Sequence, residues 1–290
     1  MRSGKRSACS HKSSNSVRLK GGFIAFVGTI AARHSNPKRA GAKRVAGGKA
    51  LVSRNFRIML HPLGRPAGAA QGEGQMHFDV AAIPANEAYK LLVSTVVPRP
   101  IALATTVDAS GRVNAAPFSF FNAVSSVPPV VVLGISPGDP DAPPGDGYKD
   151  TERNIRDTGE FVVNLVDEAI AERMNVCAVD FPNTIGELEH ADLHPVPSVG
   201  VRPPRIAESP VSFECKRITG LSLGPRSTLE VGRVIHIHIR DDLVDPTRYY
   251  VATEKMRLIG RMHGRGWYAR TTDLFLMDRI SFAHWKDGKR

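Results

Sequence analysis

The chain has 290 residues, 42% of them hydrophobic, with 39 Lys and Arg against 28 Asp and Glu and a formal net charge of +11. The excess sits in residues 1–75, which hold fifteen basic residues and one acid, Glu73; residues 76–290 keep 24 basic and 27 acidic, so the high charge belongs to the tail and a whole-chain reading as a nucleic-acid binder is misplaced. Three cysteines, Cys9, Cys177 and Cys215, stand at no CxxC or zinc spacing, which excludes a zinc-stapled scaffold and fits reduced, partly buried thiols of a cytoplasmic protein.

Residues 1–75 form a basic tail with three readings. They are Arg- and Ser-rich and acid-poor, as transit peptides are; residues 21–32 (GGFIAFVGTIAA) resemble a secretory apolar region; and the composition equally fits a disordered tail, or a true start at Met76. The apolar run is too short to cross a bilayer, so no membrane association is expected. A nucleic-acid binder would rest on this tail alone. The remaining 215 residues suit one domain, 76–290, with enough chain for a sizeable core.

In chain order, residues 84–92 (PANEAYKLL) predict a short helix and residues 101–107 a strand. Asp108 to Gly111 read as a turn and 112–115 as the return strand, which Pro117 closes because proline cannot donate to a ladder. Residues 118–125 then read as an aromatic loop, with Phe118, Phe120 and Phe121 among Ser119, Asn122 and Ser125. That mixture of flat apolar surface and short polar groups suits a planar heteroaromatic ligand. Pro128 and Pro129 end the loop, and 130–135 is a buried strand.

A Gly, Pro and Asp loop at 136–147 leads to a helix at 151–158, capped by Asp150 or Thr151 and stopped by Gly159. Its N-terminal amides, with Lys149 just before them, favour a phosphate; the alternative is an ordinary capped surface helix. A buried strand at 161–166, an amphipathic helix at 168–177 and a proline-bearing excursion at 180–210 follow. Strands resume at 211–218 and 228–240. His236 and His238 share a strand face but have no third ligand at a telling spacing, so an exposed or dimer-facing surface is preferred to a metal site. Asp241 and Asp242 read as turn chemistry. Residues 260–271 (GRMHGRGWYART) read either as a mobile loop at an active-site mouth or as an aromatic-stapled packing segment. The tally is mainly β with peripheral helices, consistent with a closed antiparallel barrel. There is no G-x-S-x-G elbow, and no G-x-G-x-x-G opening a βαβ unit.

The runs RPIALATT, GRVNAAPFSFFNAVSSVPPVVV and KDTERNIRDTGEFVVNLV, in that order, resemble the flavin reductase-like branch of the FMN-binding split-barrel flavoproteins, and the resemblance covers residues 78–285. It implies a split β-barrel, FMN as cofactor, NADH or NADPH as a transient co-substrate, and a homodimer with each flavin near the subunit interface. Lys149 and the Thr151 hydroxyl match phosphate contacts, and Ser119, Phe120, Asn122, Thr105 and Thr106 match positions around the isoalloxazine ring. Arg99, between two prolines, reads as a flavin or phosphate ligand or as a surface arginine, and Asn114 is comparably open. The implied activity is an FMN oxidoreductase; a non-catalytic electron-transfer flavoprotein, or a flavin carrier for a partner monooxygenase, is the alternative.

Overall fold

Seven strands of mostly small and β-branched residues form one antiparallel sheet: β1 (Ala102–Val107), β2 (Val113–Phe118), β3 (Phe121–Ser126), β4 (Pro129–Ile135), β5 (Glu160–Leu165), β6 (Val211–Gly224) and β7 (Ser227–Ile239). The computed structural model describes residues 74–136, 147–181, 186–224 and 227–288. The tail of residues 1–73, with Cys9, and residues 137–146 of the expected loop lie outside them.

The sheet order is β2-β1-β5-β6-β7-β4-β3. Its two edge strands are consecutive in the chain, separated only by Ser119 and Phe120. Residues 113–126 therefore act as one strand bent at that link, pairing with β1 before the bend and with β4 after it. The sheet thus closes through the chain itself, with no ladder between β2 and β3. At the bend the Gly134 amide donates to the Phe120 carbonyl at 2.7 Å, and a Cβ at position 134 would lie 2.8 Å from the Phe120 Cβ, so only glycine fits there.

Alternation along β1 divides the core into two layers. Ala102 and Ala104 face inward with Phe118, Phe121, Leu133, Phe161, Val163 and Cys215, beneath Ile155. Ile101 and Leu103 face outward and pack with Ile170, Met174, Leu188 and Leu193. Burial on both faces is why this strand reads as a continuous apolar run.

The described residues include five helices: α1 (Ala85–Thr95), α2 (Asp150–Thr158), α3 (Ala171–Val176), α4 (Glu187–His190) and α5 (Phe282–Lys286). Two further strands, β8 (Ile259–Arg261) and β9 (Tyr268–Arg270), form a hairpin that pairs with Arg99–Pro100. Among the described residues no helix is long and apolar enough to cross a membrane.

Several expectations are corrected. The aromatic stretch expected as a loop at 118–125 is mostly β3, and Pro117 does not end β2, because it lies on an edge strand where its missing N–H faces no partner. Neither Asp150 nor Thr151 caps α2; Lys149 occupies the cap position without a side-chain cap bond, and Asp150 pairs with Arg153 at 2.6 Å. The helix expected at 168–177 is a 3-10 turn (Glu168–Ile170) followed by α3, because the Asp167 carboxylate accepts the Ile170 N–H at 3.1 Å and Ile170 leaves the helical conformation. Residues 260–271 are largely the β8–β9 hairpin, held by a 3.0 Å bond from Met262 N to Trp267 O. Cys177 and Cys215 are free and fully buried rather than partly so, and burial raises both thiols, Cys177 to about 12. Asp241 and Asp242 do lie in a 3-10 turn after β7.

Candidate functional site

α2 starts where Lys149 leaves the extended loop and stops at Gly159, whose left-handed φ of 71° suits a residue without Cβ. No side chain caps its first turn, so the leading amides keep the donors that a helix start leaves without internal acceptors. Lys149 is exposed at this end; its carbonyl accepts the Arg153 N–H at 3.1 Å, and its ammonium makes no hydrogen bond or ion pair among the described residues.

The buried face of that turn is tied to the barrel. The Asn114 Nδ2 group donates to Thr151 Oγ1 at 2.9 Å, and Asn154 Nδ2 donates to Thr106 Oγ1 at 3.0 Å. Thr106 and Asn114 are paired in register, so their side chains share a sheet face. These four polar residues form a continuous seam between α2 and the β1–β2 edge. Beside it lies a cleft of about 370 Å³ lined by Asp108, Arg112, Asn114, Arg153, Asn154 and Glu187 among others. Its carboxylates disfavour a phosphate there, whereas the α2 start and Lys149 favour one.

Thr105 faces the other way. Its hydroxyl donates to the Pro204 carbonyl at 2.5 Å and accepts from Asn164 Nδ2 at 3.3 Å, within a buried network that includes Ser212. Strand alternation therefore separates Thr105 from Thr106, which the sequence had grouped.

A second group stands at the strand bend. Arg99 is 6% exposed, which removes the surface-arginine reading. Its Nη1 group donates to the carbonyls of Val93 and Val96 at 2.7 and 2.8 Å, and Nη2 donates to Met262 O at 2.8 Å. Nε reaches Ser119 Oγ at 3.4 Å, and the guanidinium lies 5.9 Å from the Phe120 ring centre. Burial lowers its pKa from the ordinary arginine value. Most of its donors are thus spent on joining α1, the β8–β9 hairpin and the bend. Nothing local in the sequence signals this, because Met262 is 163 residues away. Phe120 is 36% exposed, and Asn122 is exposed on β3, its Oδ1 accepting the Ala123 N–H at 2.8 Å. Beyond the bend, His263 and Trp267 lie 5.7 Å apart, with Trp267 exposed.

Asn114 and Ser119 bound β2 at opposite ends, about 17 Å apart at the ordinary rise of a strand. That distance suits a ligand with a planar ring at one end and a phosphate on a short chain at the other. The donor set fits FMN in kind: a cation and free amides at one end, an aromatic face with small polar groups at the other.

Sequence reasoning missed Asn154 and Glu152. Glu152 is buried beneath α2, with Oε1 accepting from Thr228 Oγ1 at 2.6 Å and Oε2 without a hydrogen-bond partner among the described residues; burial pushes its pKa up. His238 pairs with the buried Glu214 at 2.6 Å, and no group of three metal-ligating side chains occurs among the described residues.

The family profile described as "Flavin reductase like domain" matches residues 93–258. A protein of Deinococcus radiodurans, described as uncharacterized, is 40% identical over 217 residues, covering 73% of this chain and 92% of its own. Two crystal structures are similar. The 2-nitrobenzoate 2-nitroreductase NbaA of Pseudomonas fluorescens is 33% identical with a TM-score of 0.64, over 71% of this chain and 98% of its own. The nitrilotriacetate monooxygenase component B of Bacillus cereus is 29% identical with a TM-score of 0.65, over 71% of this chain and all of its own. With β2 and β3 closing the sheet through the chain, and with this profile spanning the barrel, the protein belongs to the flavin reductase-like family and has its split-barrel fold.

Proposed function

We propose that this chain is an FMN-binding oxidoreductase of the flavin reductase type, using NADH or NADPH and working as a cytoplasmic homodimer. The carrying observation is the placement along β2 of an anion-favouring end, Lys149 and the α2 start tied through Thr151 to Asn114, and an aromatic end at Ser119 and Phe120. Lys149 and the α2 amides bind the phosphate, and Thr151, buried and bonded to Asn114, aligns the helix start that presents them. Ser119, Phe120 and Asn122 orient the ring and exclude water from one side of it. FMN held there would supply the redox chemistry, as acceptor of a hydride from the nicotinamide nucleotide. No G-x-G-x-x-G motif opens a βαβ unit, so the nicotinamide nucleotide visits the open site only transiently.

A second reading, a carrier of reduced flavin for a partner monooxygenase, draws on the similarity to nitrilotriacetate monooxygenase component B. The visible spectrum of the purified protein, with mass identification of any released flavin, tests FMN binding. Steady-state NAD(P)H oxidation with added FMN then separates the readings: turnover supports the reductase, and bound flavin without turnover supports the carrier.

A further inference from the structure

We propose that residues 272–285 form an arm that packs across a second copy of this chain. The inference rests on the homodimer part of the function proposed above and assigns the contact to a particular segment. Thr271 is the arm's last tie to the body, its N–H and hydroxyl both donating to the Leu258 carbonyl, at 3.2 and 2.8 Å. Beyond it, among the described residues, hydrogen bonds are local: Ser281 caps α5, and Trp285 and Asp287 bond back within the same turn. Phe282 and Trp285 stack with ring centres 5.9 Å apart. Only the turn from Ser281 onward bonds within itself, and the segment's apolar side chains are exposed.

Phe275, Leu276 and Met277 are 84%, 88% and 79% exposed, and Leu274, Phe282 and Trp285 are also exposed. A contiguous apolar patch of this kind marks an interaction site rather than an ordinary surface. Aromatic side chains bury on the order of 150–250 Å² each, so Phe275, Phe282 and Trp285 of two such arms would together remove roughly 900–1,500 Å² from water, in the range of a specific protein–protein interface. The body supplies matching surface. Tyr89, Leu92 and Val96, at helical spacing along α1 and its end, are more than half exposed, on a stripe that borders the buried Val93. A two-fold contact needs both halves on one chain, and both are present here. The competing occupant is the apolar run in residues 21–32 of the same chain.

The test uses the full chain. Light-scattering mass across a dilution series is compared for wild type, for a chain ending at Thr271, and for Phe275→Asp with Leu276→Asp. We expect a wild-type dimer and an increase in its dissociation constant of about 100-fold or more in both variants. A photo-crosslinker at position 276, in a mixture of two differently tagged protomers, is expected to join one tag to the other, and this readout decides if a variant fails to fold. A dimer with unchanged dissociation in both variants, or crosslinks confined to single protomers, overturns the arm while leaving the dimer intact. A wild-type monomer overturns the dimer and the arm together.

Discussion

Asn114 and Thr151 lie 2.9 Å apart, joining the bent edge of the barrel to the first turn of α2. The bond aligns the Thr151 hydroxyl and the helix start with the sheet. We expect Asn114→Ala and Thr151→Val each to weaken FMN binding, with a coupling energy of about 1 kcal/mol in a double-mutant cycle. Flavin titration of the four proteins measures it, and additive losses would mean that the two residues act separately.

Lys149→Ala should weaken FMN by about 2 kcal/mol, roughly 30-fold, while hardly affecting riboflavin, because only FMN offers a phosphate to the lysine. Titrating both ligands against both proteins checks this. Equal weakening would place the phosphate elsewhere.

Arg99→Ala leaves the carbonyls of Val93, Val96 and Met262 without this donor. We expect a loss of about 3 kcal/mol in flavin-free stability, on the order of 6–12 °C in melting temperature. Thermal melts of the flavin-free protein measure it; unchanged melting with lost flavin affinity would make Arg99 a ligand instead.

Burial raises the pKa of Glu152 in the folded protein, opposed by the Thr228 hydroxyl and by Arg156. The folded state therefore holds this proton more tightly than the unfolded chain. The stability it contributes is complete below the ordinary glutamate value of about 4.3 and is lost as pH rises through the raised value. Glu152→Gln stays neutral and keeps an acceptor for Thr228. Its melting temperature, relative to wild type, should be higher at pH 8 than at pH 4. A difference that does not vary with pH would show that Glu152 does not titrate in this way.

A chain starting at Met76 should remain a folded, flavin-binding dimer, because the net charge of residues 1–75 sets them apart from the domain. Size-exclusion mass and the flavin spectrum check this. Loss of soluble protein would assign the tail a part in folding.

The elements legible in the sequence were α1, β1, β4, β5, β6 and β7 from their apolar patterns, and the Asp108–Gly111 turn and α2 with Gly159 at its end from their punctuation. β3 escaped because five of its six residues are exposed, so Ser and Asn replace the apolar alternation that announces a strand. Thr105 and Thr106 were grouped by adjacency although alternation sends them to opposite faces. The start of α2 after Lys149 was legible because a helix start is a local pattern. The partners of Arg99 were not, since backbone carbonyls carry no side-chain signature and one of them is supplied by a distant hairpin.

Because the barrel closes through the bend at Ser119 and Phe120, β1–β2, β3–β4 and β6–β7 are all close in the chain and can form early as local units. Three seams remain, β1–β5, β5–β6 and β4–β7, and the last joins the most distant segments, where Val130 meets Arg233 and Ile135 meets Thr228 across roughly a hundred residues of chain. Bringing those strands together carries the largest loop-closure entropy in the barrel, so this pairing sets the folding rate. Substitutions that loosen the β4–β7 register, such as Val132→Ala, should slow folding more than equally destabilising changes in the local hairpins.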